Sequence, residues 1–251
     1  MSGHSKWATI KHRKGAADKR RGKLFARLIR QVEVAARAGG GDLDANPTLR
    51  TMYQKARGAS VPLETIERAI KRGTGELEGV AYEPFTYEGY APAGVALYIE
   101  VLTDNRNRTS SEVRALFRAH GGSPAEPGAV AWQFRRGGVM TVPRSVDEEE
   151  LMLAALDAGA DDIIDEGDTW RVTCAPADLP ALSAALEAAG IDVESAESTM
   201  LPTQVVPVTS TEQARSVLRL VGELDDHDDV QDVYANFDIP DEILQDLAAS
   251  V

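Results

Sequence analysis

Long apolar runs are missing from this sequence. The best, Val95–Ile99, is closed by Glu100, whereas spanning a bilayer takes roughly 18–20 such residues. No apolar core of roughly 7–15 residues follows the basic opening, so that opening is not a secretory signal. Cysteine is nearly lacking too. Cys174 stands alone, which excludes an intrachain disulfide framework and suits a reducing compartment. In a strand-like stretch it reads as a buried structural thiol rather than a nucleophile. Histidines 4, 12, 120 and 227 are scattered. There is no phosphate-cradling Gly-x-x-x-x-Gly-Lys loop, nucleophile elbow, paired-cysteine zinc signature or glycine-rich dinucleotide loop. Catalysis is left without a centre, and no enzyme activity, cofactor or metal is expected.

What the chain does have is uneven charge. Met1–Ala38 holds eleven Lys or Arg against Asp18 and Glu33, a formal +9 within a chain of −13, so the rest carries −22. A field of that sign at one end of an acidic protein is suited to a large anion, above all a nucleic acid. The Arg-rich, acid-poor opening also has the composition of a mitochondrial presequence, although the expectation is a cytoplasmic protein. At 251 residues, 43% hydrophobic and 27% charged, the chain has room for one large domain or two to three small ones.

Helical periodicity organises the first part. From about Asp18 to the glycines at 39–41, Leu24, Phe25, Leu28, Val32, Ala35 and Ala36 fall on one side. Arg20, Lys23, Arg27, Arg30 and Arg37 fall on the other. A second helix is predicted after Asn46, which caps, with Pro47 in its first turn. A third runs from Pro62 to Gly73. Residues 1–75 thus read as a basic helical domain of formal charge +11, leaving −24 for the remainder. Beyond a linker at Gly73–Gly79 the pattern changes to strands alternating with helices. Strands are predicted at 96–102, 129–134, 139–142, 170–174, 192–200, 204–208 and 230–237. Helices are predicted at 110–119, 147–158, 177–189 and 211–224. The fold class is α+β, with small antiparallel sheets carrying helices on one face.

Three stretches are candidate sites. In the basic arm and helix, Lys6, Lys11, Arg13, Lys14, Lys19, Arg20, Lys23, Arg27 and Arg30 would contact phosphates, a salt-sensitive mode. Trp7 would stack on a base. The alternative is that this face pairs with the chain's own acidic half. The second is Thr103–Thr109, where Arg106 and Arg108 at a helix N-terminus form an anion site or simply a well-capped turn with solvated arginines. The third is acidic: Asp225-Asp226-His227-Asp228-Asp229 lacks the spacing of a calcium loop and reads as a solvated turn. Asp161, Asp162, Asp165, Glu166 and Asp168 read the same way.

Several strings carry a family resemblance: Gly3-His4-Ser5-Lys6-Trp7, Ile10-Lys11, Lys23-Leu24-Phe25, Asn46-Pro47, Val61-Pro62 and Ile66 to Gly73. They continue with Tyr87-Glu88-Gly89-Tyr90-Ala91-Pro92, Thr103 to Arg108, and Asp229-Val230-Gln231-Asp232-Val233-Tyr234-Ala235-Asn236-Phe237. Together they resemble the YebC/PmpR family over essentially the full length. One departure is Gly122-Ser123-Pro124-Ala125-Glu126, where that family usually has an Asn-Leu type turn. The resemblance implies three domains: an N-terminal three-helix domain and two small α+β domains, the third inserted in the second. Here the ranges would be 1–75, then 76–134 with 203–240, and 135–202 as the insert, with 241–251 a C-terminal tail. It implies a DNA-binding transcriptional regulator of the cytoplasm. The alternatives are a translation factor on the ribosome that binds ribosomal RNA or tRNA, and a protein-binding module that uses the acidic domains.

Overall fold

A computed structural model describes residues 17–249. Helix α1, Ala17–Gly39, packs on α2, Pro47–Gly58, and α3, Leu63–Thr74. Asn46 joins the first two helices. Its Oδ1 accepts the Leu49 N–H at 3.0 Å, and its Nδ2 donates to Ala35 O and Gly40 O at 2.9 Å each. One side chain therefore serves the unpaired groups at the end of α1 and the start of α2. Gly40, at φ +85°, provides the left-handed stop. A Cβ on Gly73 would lie 2.4 Å from Glu33 O, so α3 approaches α1 closely only because that residue is glycine. Val32, Leu49, Ala56, Ile66 and Ala69 form the core.

Helix α1 has 23 residues, and α2 and α3 have 12 each. At about 1.5 Å per residue, the first is nearly twice as long as the helices it packs on. Its N-terminal part overhangs them. Leu24, expected on the docking face, is 47% exposed for that reason.

The first sheet has the order β3-β1-β2-β9 and is antiparallel throughout. Its strands are β1, Glu83–Tyr90, β2, Ala96–Thr103, β3, Ser123–Ala125, and β9, Val230–Ala235. Leu97, Ile99, Val101, Val233 and Ala235 pack against α4, Arg106–Ala119, and α7, Thr211–Asp225. The second sheet, β5-β6-β4-β7, is also antiparallel. It contains β4, Phe134–Pro143, β5, Ala160–Asp165, β6, Thr169–Cys174, and β7, Ser195–Pro202. Its core side, with Met140, Trp170 and Val172, is covered by α5, Glu148–Leu156, and α6, Leu179–Ala188. A short parallel pair links β8, Val206–Pro207, to β10, Phe237–Asp238. The chain between β3 and β9 thus contains the whole second sheet. The α+β class is as expected.

Several segments differ from the sequence reading. Strands β1 and β3 were not anticipated. The strand expected at 129–134 is a 3-10 turn over Ala131–Gln133. There the Glu88 carboxylate accepts the N–H groups of Gly128, Val130 and Ala131 at 2.7–2.9 Å, which removes them from any ladder. The acidic stretch 161–165, expected as a solvated turn, is edge strand β5. Pairing with β6 outweighs its low strand propensity, and exposed Asp161, Asp162 and Asp165 charge that edge. The tail expected from 241 is helix α8, Asp241–Ala249, whose Leu244 is buried in the first sheet's core.

Candidate nucleic-acid interface

The overhang of α1 meets the end of α7. That end is electrostatically awkward, because Asp225 lies in the last turn and acids follow it, while no basic residue lies in that turn. Terminal carbonyls and the helix dipole both call for cations there. Helix α1 supplies them from about 200 residues away. Lys23 donates to Asp226 O, and its Nζ lies 2.8 Å from Asp226 Oδ1. Arg27 donates to Asp225 O and lies 3.3 Å from Asp225 Oδ1. Arg30 donates to Asp228 O and lies 3.7 Å from Asp229 Oδ1. All three side chains are only about one-fifth exposed. The 225–229 turn is therefore a docking element of the fold, where a solvated turn was expected.

Asp229 also anchors the second candidate stretch. Its Oδ2 accepts from Arg108 Nη2 at 2.6 Å, Thr109 Oγ1 at 2.7 Å and Thr103 Oγ1 at 3.2 Å. Burial pushes its pKa up. The Arg108 and Thr109 hydrogen bonds and the Arg108 charge together outweigh that and hold the carboxyl below the usual range. Arg108 further pairs with Asp104 at 2.8 Å. Asn105 caps α4 by accepting the Arg108 N–H. The guanidinium of Arg106 lies 3.3 Å from the centroid of the Phe85 ring, a cation–π contact. This stretch is a well-capped turn, as one reading had it, and its arginines are exposed to solvent while also engaged with Asp229, Asp104 and Phe85.

The fold thus brings together Lys23, Arg27, Arg30 and Arg108 around one acidic loop. Arg106 lies apart on Phe85. Lys6, Trp7, Lys11, Arg13 and Lys14 lie outside the described residues, as do the side chains of Lys19 and Arg20. Read as a solvated turn, Asp225, Asp226 and Asp229 were given no partners by the sequence, and Thr103 and Thr109 were given no bond to Asp229. The available signal was the run of acids at a helix C-terminus, which is unfavourable unless cations arrive from elsewhere. Within the bundle, Arg72 and Arg37 are held by buried Glu33 at 2.9 and 3.4 Å. Among the described residues, Lys55, Arg57 and Lys71 are exposed and form no ion pair.

Glu112, His227 and Asp229 cluster, but His227 Nδ1 accepts the Asp229 N–H at 3.1 Å. Its Nε2 then carries the proton toward Glu112, 2.9 Å away, so neither nitrogen presents a lone pair to a metal. Cys174 is fully buried, and burial, then Asp161 and Asp178, push its thiol pKa up. Among the described residues, no helix is long and apolar enough to cross a membrane.

Comparison with known proteins agrees with the resemblance. Residues 5–76 match the model described as the TACO1/YebC protein N-terminal domain, and residues 82–237 match the TACO1/YebC second and third domain. The chain belongs to the TACO1/YebC family. A relative from Thermobifida fusca is 56% identical over 97% of this chain and 98% of its own. One from Acidithiobacillus ferrooxidans is 53% identical over 100% of both. Each bears the name "Probable transcriptional regulatory protein". The crystal structure of a conserved hypothetical protein from Aquifex aeolicus superposes with a TM-score of 0.81 at 45% identity, over 92% of this chain and 96% of that one. The α+β architecture of this TACO1/YebC chain is thus shared with a solved relative.

Proposed function

We propose that this TACO1/YebC chain is a nucleic-acid-binding regulator of gene expression that acts in the cytoplasm as a DNA-binding transcriptional regulator, with no catalytic step of its own. The observation that carries the reading is the concentration of formal charge, +11 over residues 1–75 against −24 over the rest. The names of the relatives support it. Phosphate contacts come from Lys6, Lys11, Arg13, Lys14, Lys19 and Arg20, with Trp7 stacking, joined by unpaired Lys55, Arg57 and Lys71. Lys23, Arg27, Arg30 and Arg108 reach phosphate only by exchanging their carboxylate partners for it. Arg106 would have to leave Phe85. The domain division belongs to the same proposal: 1–75 binds, while 76–134 with 203–240 and the inserted 135–202 repel nucleic acid from other faces.

Fluorescence anisotropy with labelled duplex DNA and structured RNA, across a salt series, tests the reading. Binding with a steep negative dependence on log salt is expected. No binding to either at low salt overturns it. A second reading, a translation factor on the ribosome, is favoured by one feature: the exposed, unpaired Lys55, Arg57 and Lys71 are spread over two helices rather than aligned on one recognition helix. Co-sedimentation with ribosomes at low salt, released at high salt, selects that version.

A further inference from the structure

Strand β9 departs from regular pairing at one place. Glu100 opposes Asp232 and Val101 opposes Val230, so Gln231 is an extra residue in a bulge. Bulges re-aim side chains and are frequent beside sites. Gln231 lines a cleft of ≈ 660 Å³ between the helical bundle and the first sheet, together with Gln31, Ala35, Met52, Glu100 and Leu102. That volume is in the range of small-ligand sites. Gln231 is only 5% exposed, and among the described residues neither its Nε2 nor its Oε1 has a hydrogen-bond partner. An orphaned buried amide is costly and calls for an explanation. A ligand that completes both bonds provides one, once the side chain turns its covered amide out into the cleft.

The chemistry narrows the ligand. A carboxamide presents one donor and one acceptor side by side, and on the edges that bases turn to the major groove its bidentate complement is adenine, through N6 and N7. Acidic Glu100 and Asp232 at the walls disfavour an anion inside, so the inserted group carries no negative charge. Arg136, also on the wall, has a 57% exposed side chain and lies 2.9 Å from Glu100, where it can meet a backbone phosphate outside. Burial, ahead of Asp232, raises the Glu100 pKa, consistent with a low-dielectric wall where a hydrogen bond counts for more.

We infer that this cleft is a binding site for an unstacked adenine, with Gln231 Oε1 accepting from N6–H and Nε2 donating to N7. The inference rests on the nucleic-acid reading for the source of the base. Its test uses the full chain, titrated by NMR and calorimetry with adenosine, purine riboside (which lacks the exocyclic amine) and N-acetylglycine methylamide. Saturable adenosine binding is expected, at least tenfold tighter than purine riboside, a factor worth about 1.4 kcal/mol. Gln231→Leu and Gln231→Met should each lose at least tenfold for adenosine and no longer distinguish the two purines. The wild-type comparison needs no variant, so a misfolded variant does not shelter the idea. Equal affinity for the two purines, unchanged affinity in a folded variant, or peptide amide binding as tight as adenosine would sink it. If oligonucleotides bind with their salt dependence but adenosine does not, the cleft inference falls alone. If no oligonucleotide binds, both fall.

Discussion

Two buried polar groups stand two residues apart at the head of β9, and their surroundings are opposite. Asp229 is saturated: two threonines and Arg108 donate to it, and Arg30 stands near. Gln231 has no protein partner among the described residues. The first is a joint of the fold, drawing α1, α4 and α7 to one point. The second contributes nothing visible to stability. A buried polar group satisfied four ways is explained by structure, whereas one satisfied by nothing is better explained by a ligand.

The largest effect should come from Asp229→Ala. Removing the shared acceptor should destabilise by about 2–3 kcal/mol, as for hydrogen bonds to a charged group. It should fall short of the 3–5 kcal/mol typical of a wholly buried pair, at order of magnitude, because the Arg108 side chain is 43% exposed and water can take it up. Urea unfolding measures this, and a loss below about 0.5 kcal/mol would remove Asp229 from the role of joint.

Acid should act on the same residue more gently, since a protonated carboxyl keeps some hydrogen bonds. The native pKa of Asp229 is lowered, and the unfolded value is about 3.9. Its contribution is therefore present above the unfolded value and lost as pH falls through the lower native one. The urea midpoint should drop more steeply below about pH 4 in the wild type than in Asp229→Asn. Parallel profiles would contradict the pairing.

Gln231→Leu should move stability the other way. Replacing an orphaned amide by an apolar group of similar size should be neutral or raise stability by up to about 1–2 kcal/mol. A clear fall in Tm would mean that Gln231 has structural partners after all, and the contrast with Asp229 would collapse.

The smallest effects belong to the half-buried ion pairs. Lys23→Ala or Arg27→Ala should each cost at most about 1 kcal/mol in thermal unfolding. Asp225→Asn with Asp226→Asn should raise nucleic-acid affinity by up to about fivefold at low salt, the equivalent of about 1 kcal/mol. Unchanged affinity would mean that the loop does not compete for these cations.

Much of the fold was legible in the order of residues. The three helices of the bundle, the Asn46 cap, Pro47 in the first turn and the glycine stop all follow from contacts within about four residues along the chain. Strand β5 was hidden by its aspartates, and the turn at 131–133 by a carboxylate on β1. The site was less legible. Lys23, Arg27 and Arg30 announce a cationic face, but not what meets it.

Sequence alone established the helical bundle, the α+β class and the opposition of charge between the two parts of the chain. Those follow from periodicity, capping and composition, which are local or additive. Only the tertiary structure decided that α1 turns its cations onto the end of α7, that Asp229 collects donors from β2 and α4, and that a bulge leaves Gln231 unpartnered in a cleft. Each depends on pairing between residues some 100–200 positions apart. Register and long-range docking are set by the balance of whole packed surfaces, which no short window of sequence contains.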